Sequence, residues 1–277
     1  SISGENLPSH IRAVTAEGIQ HVKLIDATPI GINVRSTVAT YANVHDELRK
    51  LFAATPEAKR RGLGAGDFSY NTGKLRCPMC DGTGVIDLDV QFLPDVEIPC
   101  PECRGSRYGK EAGEIVLDDA RGGVCSLPEL MDMDVSTAAQ ACAQRRVVAQ
   151  RLGVLESLGL GYLTLGEQTP GLSGGEAQRL KLASELGRAQ DDTLFVFDEP
   201  TIGLHPLDVR TLLEVFDRLL SRGATIVVIE HDLDVIRSAD YILDLGPGGG
   251  TEGGELVCAG TPERVRECKE SRTGKFI

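Results

Sequence analysis

Residues 172–176 read Leu-Ser-Gly-Gly-Glu and are suited to binding a phosphate group. Ser173 and Glu176 have the spacing of a capping box, which predicts that a helix begins at this serine. Gly174 and Gly175 have no side chains to cover the N–H groups of the first turn. Because a helix N-terminus with open N–H groups binds anions, we expect this turn to contact a nucleotide phosphate.

Two acidic residues, Asp198 and Glu199, follow the apolar run Leu194–Phe197. The run predicts a buried parallel strand, and ligands of open α/β sheets bind beyond the carboxyl ends of such strands. One carboxylate can hold a hydrated Mg²⁺ there while the next polarises the attacking water. His231 follows the β-branched run Thr225–Ile229 and is expected at the same edge. We therefore predict Asp198 as a nucleotide-binding residue and Glu199 and His231 as catalytic residues.

Two cysteine pairs, Cys77-x-x-Cys80 and Cys100-x-x-Cys103, have the spacing of a tetrahedral four-thiolate zinc site. Four thiolates close the coordination shell, so the zinc would be structural and not catalytic. Buried reduced cysteines without a metal are the plain alternative. The first pair also resembles the C-x-x-C-x-G-x-G knuckles of DnaJ-type chaperones, which leaves open a module that binds unfolded protein.

Basic side chains gather around these cysteines in a chain whose net charge is −12. An acidic chain is unsuited to general nucleic-acid binding, so any DNA contact must use a local basic face. A solvated surface is the ordinary interpretation of such charges. The candidate contacts with duplex DNA are Lys74, Arg76, Arg104, Arg107 and Lys110.

The composition indicates a globular protein of one large or two ordinary domains, with 277 residues of which 41% are hydrophobic and 25% charged. No stretch approaches the roughly 20 apolar residues that cross a bilayer, so we expect no membrane span. Strand, helix and strand alternate after residue 191, which predicts an α/β fold. Residues 132–160 are predicted to be mostly helical, with breaks at Gly153 and Gly159.

These elements predict a split ATPase core with a long insertion. The core would comprise residues 1–44 and 191–277, and the insertion, residues 45–190, would be a helical signature domain that carries the zinc module at 77–103.

The chain resembles the UvrA family, the ABC-type ATPases that sense damage in bacterial nucleotide excision repair. In ABC terms, residues 172–176 are the signature motif, Leu194–Glu199 is the Walker B strand, and His231 is the switch histidine. More specific strings carry the resemblance: Pro29–Gly31, Arg35–Ser36, Ala39–Tyr41, Phe92–Asp95, Gly203–His205, Glu230–Ile236 and Asp244–Pro247.

The resemblance implies a P-loop NTPase fold, ATP hydrolysis with Mg²⁺, and a structural zinc. It also implies damaged duplex DNA and UvrB as partners, a homodimer in the full-length protein, and a cytoplasmic location without membrane attachment. By the same resemblance, Asp208 and His205 lie in a loop that crosses the dimer interface, with Asp208 among the nucleotide-binding residues.

Two departures from the family pattern matter. Ala27 stands where the family has a glutamine in its Asp-Gln-Ser-Pro-Ile-Gly loop, which senses Mg²⁺ and the γ-phosphate. This keeps open a UvrA-like paralogue that confers resistance to DNA-intercalating drugs. The 277 residues also contain no Gly-x-x-x-x-Gly-Lys-Ser/Thr phosphate loop, or Walker A motif. We therefore expect a C-terminal fragment that is cut before Walker A and does not hydrolyse ATP alone. An ABC transporter ATPase would share the three motifs, but would have no reason for the zinc insertion.

Overall fold

A computed structural model describes residues 15–31, 33–88, 96–186, 191–246, 248 and 253–277. The string Phe92–Asp95 and Pro247 lie outside the described residues. The chain divides into two compact units, one made of Ser1–Asp26 and Ala189–Ile277 and the other of Ala27–Arg188. We call them the sheet unit and the helical unit. The sheet unit passes into the helical unit between Asp26 and Ala27, which is N-terminal to the domain boundary predicted at residue 44.

The sheet unit is built on parallel strands and has the predicted α/β character. Strands β1 (His21–Ile25), β6 (Thr193–Asp198) and β7 (Thr225–Ile229) are hydrogen-bonded in the order β1-β6-β7. Helix α8 (Pro206–Leu220) makes the crossover between β6 and β7. In register, Asp198 at the end of β6 stands opposite Ile229 at the end of β7. The parallel arrangement therefore brings both carboxyl ends to one edge.

An antiparallel pair completes the described part of the sheet unit. Strands β8 (Ile242–Gly246) and β9 (Glu255–Gly260) pair with each other. Helix α9 (Leu233–Ser238) precedes this pair, and helix α10 (Pro262–Glu267) and a 3₁₀ turn (Thr273–Lys275) follow it. Phe195 and Phe197 on β6 are fully buried, and Phe197 packs against Phe216 of α8 with ring centroids 4.7 Å apart.

The helical unit consists of short helices and two small antiparallel hairpins. Its helices are α1 (Val38–Tyr41), α2 (Val44–Ala53), α3 (Pro56–Arg60), α4 (Leu127–Asp132), α5 (Val135–Ala141), α6 (Arg146–Ser157) and α7 (Gly174–Glu185). Its strands pair as β2 (Val85–Leu88) with β3 (Val96–Pro99), and β4 (Val116–Asp118) with β5 (Val124–Ser126). Two 3₁₀ turns cover Lys110–Glu114 and Thr169–Gly171.

The predicted break at Gly153 is wrong. Helix α6 runs through this glycine, since one glycine in a helix costs only about 1 kcal/mol relative to alanine. Gly159 does follow the helix end, with a φ of +69°. The helical run is interrupted earlier in the sequence, before α5. Asp134 is the N-cap of α5, and its carboxylate accepts the Thr137 N–H at 2.7 Å. Among the described residues, no helix is long and apolar enough to cross a membrane.

A buried polar cluster lies in the core of the helical unit. His45 of α2 is 4% exposed, and its Nε2 lies 2.7 Å from the hydroxyl of Tyr108. That hydroxyl donates to the Phe68 carbonyl at 2.9 Å. The His45 and Tyr70 ring centroids are 4.8 Å apart. Burial, followed by the nearby charge of Arg49, lowers the pKa of His45 to about 3. His45 is therefore neutral in the folded protein.

Candidate nucleotide, metal and DNA sites

The signature turn begins helix α7 as predicted. Ser173 is the N-cap of α7, and its Oγ accepts the Glu176 N–H at 3.4 Å. In return, the Glu176 carboxylate accepts the Ser173 N–H at 2.7 Å. Glu176 also accepts a hydrogen bond from Tyr162. Burial raises the pKa of Glu176, but these hydrogen bonds outweigh it and leave the pKa below its usual value. The capping box thus holds the first turn of the helix in place.

Ala27, at the glutamine position of the family, lies against this turn within the helical unit. A Cβ added to Gly174 would stand 3.0 Å from the Ala27 Cβ and 3.1 Å from its carbonyl oxygen. Two turns after Gly174 along α7, Lys181 donates to the Thr28 hydroxyl at 2.7 Å. A side chain at position 174 would therefore be tightly packed against Ala27, which favours glycine here.

In the sheet unit, Glu199 and His231 come together at the carboxyl edge. Glu199 Oε1 lies 3.7 Å from His231 Nδ1, and both side chains are open to solvent at 45% and 74% exposure. Glu199 has a φ of +47°, a left-handed conformation that costs a non-glycine residue about 1–2 kcal/mol. Its N–H donates to the Ile229 carbonyl at 2.9 Å, which ties it to the end of β7. Asp198 precedes it as the last residue of β6. The edge thus presents a carboxylate and an imidazole to solvent within reach of one small ligand.

Sequence reasoning did not single out Glu230, although it organises this edge. Its side chain is 2% exposed. Oε1 accepts the Thr201 N–H at 2.8 Å, and Oε2 accepts the N–H groups of His231 at 2.8 Å and Asp232 at 3.0 Å. Burial raises the pKa of Glu230, but these hydrogen bonds outweigh it and lower the pKa overall. The signal in the sequence that could have identified Glu230 was its position directly before the predicted switch histidine, His231.

An open depression of about 630 Å³ adjoins this edge within the sheet unit. The turn after β6 contributes Thr201 and Gly203 to its lining, and the turn after β7 contributes His231 and Asp232. The side chain of Asp208, predicted to bind nucleotide, lies outside the described residues. His205, in the same loop, is exposed.

The four predicted metal ligands converge in the helical unit. Cys77, Cys80, Cys100 and Cys103 are all buried, and their sulfur atoms lie within 4.8 Å of one another. The Sγ–Sγ distance is 3.9 Å between Cys77 and Cys100, and 3.6 Å between Cys80 and Cys103. Metal–sulfur bonds of about 2.3 Å at tetrahedral angles place sulfur atoms about 3.8 Å apart. These two distances match that spacing, and the four sulfur atoms together could hold a metal ion.

The backbone around the sulfurs also fits a metal. The Gly84 N–H donates to Cys80 Sγ at 3.3 Å, a hydrogen bond that favours a thiolate. Asp81 and Gly82 adopt positive φ angles of +49° and +79° and turn the chain tightly after Cys80. Arg104 and Gly105 do the same after Cys103, at +53° and +93°. Each cysteine pair thus sits on a tight knuckle, as the spacing predicted.

The prediction that Arg107 contacts DNA is wrong for this structure. Arg107 is only 3% exposed, and its guanidinium lies 5.1 Å from the centroid of the Tyr70 ring. It donates to the Val34 carbonyl at 3.2 Å, and burial lowers its pKa. A side chain that is enclosed in this way packs the helical unit and is not accessible to a phosphate.

The other four candidate DNA residues differ in their availability. Arg76 is partly exposed and forms an ion pair with Asp81 at 3.0 Å. Lys74 and Lys110 are 75% and 84% exposed, with acidic partners at 3.6 Å and 3.1 Å. Arg104 is exposed, and it has no ion-pair partner among the described residues. Because exposed ion pairs are weak, the two lysines remain free to exchange their partners for phosphates.

Comparisons with known proteins identify relatives of this chain among curated proteins and solved structures. A search against protein-family models found no match. The chain is 49% identical over 265 residues to UvrABC system protein A of Thermus thermophilus, an alignment that covers 94% of this chain and 27% of that protein. It is 46% identical over 275 residues to UvrABC system protein A of Micrococcus luteus, covering 98% of this chain and 27% of that protein.

A solved structure shows the same similarity in three dimensions. The structure of UvrA2 from Deinococcus radiodurans matches 94% of this chain and 31% of its own length, with a TM-score of 0.82 and 42% sequence identity. The chain therefore spans less than a third of the length of the relatives that it matches. Over the segment that it shares with them, the chain is a homologue of the UvrA proteins.

Proposed function

We propose that this chain is an ATPase module of a UvrA-like protein that recognises DNA damage in nucleotide excision repair. The observation that carries the proposal is the edge of the sheet unit, where Glu199 stands 3.7 Å from His231 directly after Asp198. The similarity to UvrABC system protein A over 94% of the chain supports the same assignment.

In this proposal the residues at the edge act on water and on the γ-phosphate of ATP. When bound, Mg²⁺ would neutralise phosphate charge, and Asp198 would hold it through its water shell. Glu199 would accept the proton of the attacking water, and His231 would donate a hydrogen bond to the γ-phosphate. Glu199 has a left-handed backbone, a conformation that recurs at functional sites.

The turn at Ser173–Glu176 would close over nucleotide that is held by another ATPase module. The open N–H groups of α7 supply the donors that a phosphate requires. A phosphate loop, whose lysine cradles the β- and γ-phosphates, does not occur in the 277 residues. We therefore propose that hydrolysis requires a longer protein with that loop, and that the 277-residue chain is inactive by itself. The longer protein would be a homodimer.

The metal of the cysteine cluster would be zinc, because four buried thiolates suit a closed tetrahedral zinc site. The duplex DNA surface would lie beside it, with Arg104, Lys74, Lys110 and Arg76 contacting phosphates. The partner protein of the assembly would be UvrB, as the family resemblance implies.

A UvrA-like paralogue in resistance to DNA-intercalating drugs is the second candidate, and Ala27 favours it. The methyl group at this position cannot replace the hydrogen bonds that a glutamine amide offers to Mg²⁺-bound water and the γ-phosphate. The effect of ATP binding and hydrolysis on DNA binding would then differ from that in a UvrA protein with glutamine at this position.

The test is a longer protein that includes the phosphate loop, assayed for ATP hydrolysis and for binding to duplexes with and without a lesion. We expect preferential binding to the damaged duplex, and a loss of turnover of at least about a hundredfold in Glu199→Gln with ATP still bound. Damage preference that returns only with Ala27→Gln would favour the paralogue. ATP turnover without DNA binding would favour a transporter ATPase, and capture of unfolded protein without either would favour the chaperone.

A further inference from the structure

Residues 33–37, here called the linking segment, contact residues beside the cysteine cluster on one side and the residues that lead into the signature turn on the other. All of these groups belong to the helical unit. Neither contact belongs to the nucleotide site or to the metal ligand set. The segment is therefore a physical connection between two sites of one compact unit.

On the cysteine side, Arg35 forms hydrogen bonds with the knuckle that follows Cys80. Its guanidinium donates to the carbonyl of Asp81 at 2.8 Å and to the carboxylate of the same residue at 3.2 Å. Asp81 has a φ of +49° and begins the tight turn after Cys80. The next residue, Gly82, packs so tightly that an added Cβ would stand 1.7 Å from the Tyr70 carbonyl oxygen. The knuckle therefore presents Asp81 to Arg35 in a fixed orientation.

Two more hydrogen bonds hold the linking segment to Arg107 and Tyr70, which lie on either side of the cysteine module in the sequence. Arg107 donates to the Val34 carbonyl at 3.2 Å, and its own carbonyl accepts the Cys77 N–H at 2.9 Å. The buried Tyr70 hydroxyl donates to the Arg35 carbonyl at 2.9 Å. The segment is thus held through its backbone and through one side chain.

On the other side, the linking segment holds the residues that lead into the signature turn. The Ser36 carbonyl accepts the Thr169 N–H at 3.0 Å, and Thr37 bridges with Gln168. Thr169 is the first residue of the 3₁₀ turn Thr169–Gly171, and its carbonyl accepts the Leu172 N–H at 3.3 Å. Ser173 follows Leu172 directly. The path from Asp81 to the signature N-cap therefore consists of short, mostly backbone contacts.

We infer that the metal-bound cysteine cluster sets the position of the signature turn through the linking segment, and that Arg35 is the positioning residue that joins them. A bound metal holds the knuckle in its turned conformation. Loss of the metal frees Asp81, so Arg35 loses both acceptors and the Ser36–Thr169 contact loosens. The inference rests on the proposed function only for the role of the turn, since the coupling itself needs neither nucleotide nor DNA.

The experiment is hydrogen–deuterium exchange on the metal-loaded 277-residue chain, read at the amides of Thr169 and Leu172. We expect Arg35→Ala to raise their exchange rates about five- to tenfold while the metal content stays at the wild-type level. Removing the metal from the wild-type chain with a chelator should raise the same rates. Arg35→Lys should restore part of the protection, because an ammonium can still reach the Asp81 acceptors.

Arg104→Ala is the matched control. It removes an exposed arginine from the knuckle after Cys103, the position that corresponds to Asp81 in the first knuckle. This variant should leave the two amides protected. Unchanged exchange in a metal-loaded Arg35→Ala chain would overturn the inference, as would an equal rise in Arg104→Ala. If Arg35→Ala does not fold, Asp81→Ala serves as the second variant with the same readout.

Discussion

The Thr201 N–H donates to Glu230 Oε1 at 2.8 Å, so one buried carboxylate joins the turn after β6 to the turn after β7. The other oxygen of Glu230 accepts the N–H groups of His231 and Asp232. Glu230 thus holds the loop that carries the proposed base and the loop that carries the proposed switch histidine in one arrangement.

Replacing Glu230 by alanine should destabilise the sheet unit. The N–H groups of Thr201, His231 and Asp232 lose their acceptor, and a buried donor without a partner costs about 1–3 kcal/mol. We expect the free energy of unfolding, measured with urea, to fall by at least about 2 kcal/mol. Glu214→Ala, an exposed change on α8, should cost less than about 0.5 kcal/mol. Equal effects of the two changes would show that the Glu230 hydrogen bonds do not stabilise the fold.

Freshly purified, unoxidised protein should contain one zinc ion per chain, bound by the four clustered cysteines. Cys80→Ser should release it, because a serine hydroxyl is not ionised and is a poor zinc ligand. The expected result is disorder around residues 77–103 with the sheet unit retained, measured by metal analysis and by amide exchange. Cys268→Ser, a partly exposed cysteine outside the cluster, should keep its zinc. Wild-type protein free of zinc would contradict the assignment.

Reversing charge at Arg104 and Lys110 should weaken binding to duplex DNA. Both side chains are exposed, and phosphate contacts carry no sequence information, so damaged and undamaged duplexes should be affected alike. Titrations at several salt concentrations should show a smaller salt dependence in the variant. Arg210→Glu with Arg218→Glu makes the same charge change on α8 and should leave affinity unchanged. A similar loss in both variants would indicate only a general charge effect.

The stability of the helical unit should fall as the pH drops below about 6.5, through His45. Its pKa is about 3 in the folded protein, so the unfolded chain binds the proton first as the pH falls. The neutral histidine thus contributes stability that is complete above its unfolded pKa and declines towards pH 3. Between pH 7 and pH 5 the loss should be about 2 kcal/mol.

The measurement is urea unfolding at several pH values, compared between wild type and His45→Gln. The variant keeps a polar side chain that can reach Tyr108, but it has no group that titrates in this range. The contribution of His45 is the difference between the two pH slopes, since the charges of Arg49, Asp46 and Arg107 are common to both. Parallel slopes would mean that His45 titrates normally in the folded protein.

Much of this molecule was determined by its local sequence. The capping box at Ser173 and Glu176 and the apolar run of β6 act over a few residues, so their spacing alone specified a helix start and a buried strand. Cys77 and Cys80 share one tight knuckle for the same reason. The family resemblance was also readable from short strings, and the comparisons confirm it.

Other features were decided only by the tertiary structure, because they depend on residues far apart in the chain. Arg107 and Arg104 are alike in sequence, yet one is enclosed beside Tyr70 and the other is exposed. Glu230 became an organising residue only when the β6–β7 register brought Thr201 to its carboxylate. Burial and long-range hydrogen bonds depend on how elements pack, and spacing along one segment contains no information about that packing.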